Sequence, residues 1–136
     1  SVHGSKSGVA HLTYKGDIEA LLQTRRLINF LPLSNKESAP IMPTDDTADR
    51  VDVSLNTLVP ENSNQPYDMS ELVEKILDEG DFFEIQPNYA QNIVIGFTRL
   101  NGSTIGVVAN QPLVLAGCLG DFFCRTANLW SSCNIG

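Results

Sequence analysis

The sequence predicts an α/β fold, and three local patterns carry that prediction. Met69, Leu72, Val73, Ile76 and Leu77 recur at the i, i+3, i+4, i+7 and i+8 spacing of one helical face. Asn92 to Leu100 and Thr104 to Asn110 read as two strands joined through Asn101-Gly102, a pair that tolerates positive φ at both centres of a type I′ hairpin turn. Earlier in the chain, Ile18, Leu21, Leu22 and Ile28 fall on one face of a further helix.

Taken in order, residues 1–14 are polar, with a short extended patch at Val9-Ala10-His11-Leu12. Asp17 is placed to cap a helix over 17–30, because its carboxylate accepts from the open N–H groups of a first turn. Arg25 and Arg26 complement the dipole of the last turns, and Pro32 stops the helix. Residues 33–65 hold Pro40, Pro43, Pro60 and the acidic pair Asp45-Asp46, and no period is sustained. Long structureless connectors are uncommon within compact domains. Two readings stand: a linker between two domains, which is preferred, or a loop laid on the surface of one.

Asp68 with Glu71 three residues later forms a capping-box arrangement at the start of the second helix, and Gly80 suits its left-handed end. A strand over 82–86 is ended by Pro87. In the next strand Ile93, Ile95 and Phe97 face one way, Val94 and Gly96 the other. The third strand is apolar on both faces and is expected to be central in its sheet. The stripe of the second helix is expected to lie on the hairpin, with Val94 and Val107 on the other face, exposed or covered only by the tail 120–136. Residues 67–112 are expected to be the best ordered, and 33–65 and 120–136 the least.

Bulk properties narrow the functional classes. A chain of 136 residues is enough for one modest domain. A net charge of −7 argues against a nucleic-acid partner, which needs a cationic surface. No apolar run approaches the ~18 residues of a membrane span, and no secretion leader is expected. Cys118, Cys124 and Cys133 make an odd set without zinc spacing, so free thiols in a reducing compartment and no metal site are expected. His3 and His11 have no carboxylate or thiol at ligand spacing. No G-x-S-x-G, P-loop, G-x-G-x-x-G or H-E-x-x-H is present. Asp45-Asp46 and Asp78-Glu79 read as solvated charge, and the Asn101-Gly102-Ser103 sequon as turn chemistry.

Two stretches point further. Phe82-Phe83-Glu84-Ile85-Gln86-Pro87, Asn92-Ile93-Val94, Gly96-Phe97, Arg99, Gly102 and Val107-Val108-Ala109-Asn110-Gln111-Pro112 resemble the carboxyltransferase subunits of biotin-dependent acyl-CoA carboxylases, most of all those of the propionyl-CoA type. Lys6-Ser7-Gly8-Val9-Ala10-His11 agrees with the same family, and the resemblance runs to about Leu119. It implies an incomplete crotonase-like fold: residues 1–32 the end of an N-terminal domain, 33–66 an interdomain connector, 67–119 the start of a C-terminal domain, and 120–136 a divergent tail.

The implied activity is transfer of a carboxyl group from carboxybiotin to propionyl-CoA or a related acyl-CoA. Family members stabilise the two developing oxyanions with a Gly-Gly and a Gly-Ala pair, and neither dipeptide occurs here. Ala116-Gly117 is the substitute candidate for half an oxyanion hole, with a tight turn of small residues as the alternative. Ser7, Gly8 and His11 match a stretch near the acyl-CoA pocket, Lys6 is a candidate for a CoA phosphate, and Asn110 and Gln111 end a strand where side chains line a cleft. The resemblance implies no cofactor bound by this chain, since biotin arrives on a partner alpha subunit, and a hexameric parent in the bacterial cytoplasm or the mitochondrial matrix. A second reading is an inactive, truncated or frame-disrupted chain that at most associates with intact subunits.

Overall fold

The computed structural model describes residues 2–47, 49–62 and 64–117. Its elements are α1 (Val2–Ser5), α2 (Asp17–Ile28), α3 (Leu55–Leu58), α4 (Met69–Ile76), β1 (Phe83–Glu84), β2 (Ile93–Leu100) and β3 (Ser103–Asn110), with single 3₁₀ turns at Asp78–Gly80 and Leu115–Gly117. Cys118, the other cysteines and the tail 120–136 lie outside the described residues.

The three strands form one antiparallel sheet in the order β1-β2-β3. β1 pairs Phe83 with Phe97 and Glu84 with Gly96, and the hairpin runs in register from Ile93↔Asn110 to Leu100↔Ser103. Asn101 and Gly102 both have positive φ, 51° and 76°, as a two-residue I′ turn requires. The expectation of a central third strand is corrected. β2 is central and buried from Ile93 through Thr98, whereas β3 alternates with solvent and exposes Ser103, Gly106, Val108 and Asn110. Apolarity on both faces reported what β3 is made of. It could not report that β1 docks on the far side of β2. Val94 is buried at 3% exposure, and Val107 is half-buried.

The core is a small aromatic cluster of Phe30, Phe83 and Phe97, with Leu12, Leu27, Leu31 and Ile85 packed around it. Phe30 stacks on Phe97 at 6.2 Å between ring centroids and tilts against Phe83 at 6.1 Å. The Arg99 guanidinium lies 4.3 Å over the Phe30 ring and donates to Asn29 O at 2.9 Å, so β2 grips the end of α2. Arg26 pairs with Asp81 and lies 5.3 Å over Phe83. This corrects one expectation. α2 itself has no buried residue, and Phe30 just beyond its C-terminal end is buried, while Ile18, Leu21 and Leu22 on the predicted apolar face are 78%, 69% and 61% exposed. Leu27 and Leu31 from that end help cover the aromatic cluster; of the α4 stripe, Val73 and Leu77 are buried and Ile76 is exposed. Periodicity identifies a shared face. What covers that face is a matter of long-range packing.

Helix starts differ in kind. α2 begins after an extended Gly16 with no side-chain cap, and Asp17 is its first helical residue. Asp68 caps α4 as expected, accepting from Ser70 N at 2.9 Å. The reciprocal role expected of Glu71 falls elsewhere: Glu71 pairs with Lys75 at 3.3 Å, and Gln111 Oε1 accepts from Met69 N at 3.0 Å.

The segment 33–65 lies along the molecule. Met42 N donates to Gly102 O at 3.0 Å, and Glu79 Oε1 accepts from Thr44 Oγ1 at 3.0 Å and Asp45 N at 3.3 Å. Arg50 pairs with Asp46 at 2.6 Å and donates to the Lys75 and Leu77 carbonyls at 2.9 Å each, where α4 has no further intrahelical donors. Lys75 Nζ meets Ser54 Oγ at 2.6 Å.

Candidate functional site

The loop from Gln86 to Asn92 links the sequence-predicted site residues. Gln86 is 5% exposed with φ 58°. Its N–H donates to His11 O and its Nε2 to Gly8 O, both at 3.0 Å, so residues 8–11 are laced to the end of β1. Gly8 has φ 64°, and a Cβ there would meet the Tyr89 ring at 2.7 Å. Only glycine lets the backbone pass so close to that buried ring. Ser7 is exposed, with its Oγ 3.4 Å from His3 Nδ1. His11 is exposed and lines a cleft of about 80 Å³ with Gly4, Ala10, Tyr14, Pro87 and Asn88. Burial raises the Tyr14 phenol above its ordinary range, with Glu19 adding to the effect.

At the other end of the loop, Asn92 O accepts from Gln111 N at 2.8 Å. Gln111 is buried, and both ends of its amide are engaged: Oε1 by Met69 N, Nε2 by Asp68 Oδ1 at 2.8 Å. Asn110 is the exposed last residue of β3. The chain then turns back through Val114 N to Gln111 O at 3.1 Å and Gly117 N to Val114 O at 3.0 Å. Leu115, Ala116 and Gly117 all have positive φ, 50°, 50° and 70°. Two of the three carry side chains, and left-handed backbone costs such residues roughly 1–2 kcal/mol each. The turn brings Gly117 back to Asn110: a Cβ on Gly117 would lie 3.7 Å from Asn110 Cβ and 3.8 Å from Pro112 Cα.

The candidates therefore form two groups. Ser7, Gly8 and His11 sit on the β1 side of the loop; Asn110, Gln111, Ala116 and Gly117 sit beyond Asn92, and none of these four lines the His11 cleft. Glu84, on β1, has its carboxyl pushed up by burial first, then by the charges of Asp68 and Glu74. Sequence reasoning missed Gln86 as the residue that organises the first group. Its Oε1 is buried with no hydrogen-bond partner among the described residues. The Gln86-Pro87 pair was visible as part of the resemblance, but only the long-range contacts to Gly8 and His11 give Gln86 a role.

Comparison with known proteins follows the same stretches. A family profile described as the carboxyl transferase domain matches residues 1–128, past Leu119 where the resemblance was expected to end. The propionyl-CoA carboxylase beta chain of Roseobacter denitrificans is 58% identical over 119 residues, covering 88% of this chain and 23% of that protein. The mitochondrial propionyl-CoA carboxylase beta chain of Homo sapiens is 46% identical over 117 residues, 86% of this chain and 22% of its own. Among solved structures, the hexameric transcarboxylase 12S with hydrolyzed methylmalonyl-coenzyme A bound superposes with a TM-score of 0.88 at 35% identity, covering 93% of this chain and 25% of that one. The chain thus spans about a quarter of the length of these relatives. Its architecture is part of a crotonase-like carboxyltransferase fold.

Proposed function

The chain belongs to the carboxyl transferase domain family, and from that membership we propose that the protein it forms part of transfers a carboxyl group from carboxybiotin to propionyl-CoA or a related acyl-CoA. The observation that carries this reading is the 58% identity to a propionyl-CoA carboxylase beta chain across 88% of the chain. In the proposed reaction the α-carbon of the acyl thioester loses a proton. Its enolate attacks the carboxyl carbon, a C–C bond forms, the N–C bond to biotin breaks, and the proton from the α-carbon ends on that biotin nitrogen. Charge develops on the thioester oxygen and on the ureido oxygen, and each needs fixed donors in a water-poor site.

Ala116 and Gly117 are proposed to offer backbone N–H groups to one of these oxygens. Gly117 would exchange its 3.0 Å bond to Val114 O for the new acceptor. Ser7, Gly8 and His11 are proposed to receive the acyl-CoA, His11 being among the residues that line the 80 Å³ cleft. Asn110 borders the oxyanion turn, and Gln111 acts there by holding α4 to the end of β3. Biotin is proposed to arrive on a partner alpha subunit, with no cofactor resident on this chain. The parent is proposed to be a hexamer, as transcarboxylase 12S is, in the bacterial cytoplasm or the mitochondrial matrix. Within it, residues 1–32 would close one carboxyltransferase domain, 33–66 connect, and 67–119 open the second.

The test uses the full-length protein with a biotin-carboxylated partner and propionyl-CoA. Methylmalonyl-CoA is the expected product, and His11→Ala is expected to raise KM for the acyl-CoA more than it lowers kcat. A full-length protein that carboxylates no short acyl-CoA under these conditions overturns the reading.

A further inference from the structure

Asn101-Gly102 is the dipeptide most prone to lose its side-chain amide in an unstructured chain. Glycine leaves the following backbone nitrogen unhindered, and that nitrogen attacks the asparagine side chain. Here Asn101 is exposed at the tip of the β2–β3 hairpin, while Gly102 is buried and the backbone of the pair is tightly held. The buried Asp78 carboxylate accepts from Asn101 N at 3.0 Å and from Gly102 N at 2.7 Å. Gly102 O accepts from Met42 N at 3.0 Å. Asn101 sits at φ 51°, pinned in the turn.

We propose that Asn101-Gly102 is a latent deamidation site, kept intact in the folded protein by Asp78. In the reaction the Gly102 nitrogen bonds to Asn101 Cγ, the Cγ–NH₂ bond breaks, and ammonia leaves with the proton released from Gly102 N. Water then opens the resulting succinimide at either carbonyl, giving aspartate or isoaspartate. The nucleophile must first lose its proton, and that proton is the one Gly102 N donates to Asp78 Oδ2 across an N···O distance of 2.7 Å. A hydrogen bond to a charged group contributes about 1.5–3 kcal/mol, enough to slow the first step roughly tenfold or more.

The site would also report its own damage. Asn101 lines a cavity of about 250 Å³ with Asp46, Arg50, Ile76, Asp78 and Leu100, so a carboxylate at position 101 adds like charge beside Asp46 and Asp78. Isoaspartate inserts an extra backbone atom into a two-residue turn that must keep Leu100 opposite Ser103. The clasp to Met42 depends on that turn and is lost with it.

The test compares the full-length protein with a synthetic peptide of residues 97–106 in one mildly alkaline buffer. Conversion at Asn101 is read by peptide mass mapping and by enzymatic methyl labelling of isoaspartate. Asn101 is expected to convert at least about tenfold more slowly in the protein than in the peptide. Asp78→Asn is expected to remove most of that difference while circular dichroism stays native. Equal rates in protein and peptide overturn the proposal, as does a folded Asp78→Asn variant that keeps its protection. Should Asp78→Asn not fold, hydrogen exchange of the Gly102 amide in the unaltered protein decides. Strong protection is expected there, and exchange at the peptide rate overturns the assignment to Asp78. In converted protein the Met42 amide is expected to lose protection, and retained protection would sink the link between the modification and the clasp.

Discussion

Both polar ends of the Gln111 side chain are engaged by α4, one by the Met69 N–H and one by the Asp68 carboxylate. From sequence, a polar residue at the end of an apolar strand reads as cleft-lining. In the fold it completes a helix cap from 42 residues away. Gln111→Ala is expected to destabilise the protein by about 2 kcal/mol, since it strands a buried helix-terminal N–H and removes a charge-assisted bond. A urea midpoint unchanged from the parent would refute that. Glu84 makes a second residue-scale prediction. Its pKa is raised by burial and by Asp68 and Glu74. The unfolded state therefore releases this proton at lower pH than the folded state, and stability falls as pH rises between the two values. Above the folded pKa the full penalty is present; below the ordinary glutamate range it vanishes. Glu84→Gln should raise Tm at neutral pH, with a gain that shrinks on acidification. A gain independent of pH would point to packing and not to charge.

At the scale of elements, the hairpin turn and the segment 33–65 depend on one another. The Asn-Gly turn was legible because two positive φ angles in sequence are a local requirement. Its partner was not, because nothing local in Met42 announces a bond to Gly102 O. Gly102→Ala places a methyl group against Met42 O at a φ of 76°. It is expected to cost about 2 kcal/mol or more and to release the amides of Met42, Asp45 and Asp46. Hydrogen exchange checks this residue by residue. In the unaltered protein those three amides should exchange far more slowly than an unstructured segment would, contrary to the expectation from composition. Free exchange at Met42 in the unaltered protein would mean that the segment does not hold the path described here. Helix α2 shows the same division: its existence follows from periodicity, while burial through Phe30 past its end follows from where Phe83 and Phe97 lie.

For the whole molecule, α2 carries an exposed apolar face among the described residues. Ile18, Leu21 and Leu22 are each more than half exposed on one helical face and border an open cavity of about 350 Å³. Made as these 136 residues alone, the chain should self-associate, because a contiguous apolar face of this kind favours contact with another surface. Leu21→Ser with Leu22→Ser should shift sedimentation toward monomer. An unaltered chain that already sediments as a monomer at tens of micromolar and binds no hydrophobic dye would remove the premise. The same 136 residues should show no carboxyl transfer with a carboxylated partner and propionyl-CoA. They span about a quarter of the length of their relatives, and loss of even one oxyanion donor costs roughly 10²–10³ in rate. Turnover above the blank would show that the described turn at Leu115–Gly117 needs nothing more.

The sequence by itself determined the elements whose cause is local. These are the α4 stripe with its Asp68 cap, the I′ turn at Asn101-Gly102, the strands on either side of it, and the family, through side chains spaced along one short stretch. The tertiary structure alone decided which strand is central, which end of α2 meets the core, that residues 33–65 are fastened to α4 and the hairpin, and that Gln86 and Gln111 hold the two halves of the candidate site. The physical reason is the range of the interactions. Backbone dihedrals, caps and periodicity act within a few residues. Strand order, aromatic stacking and buried hydrogen bonds join residues far apart in sequence, and no local pattern encodes which of the available partners each will find.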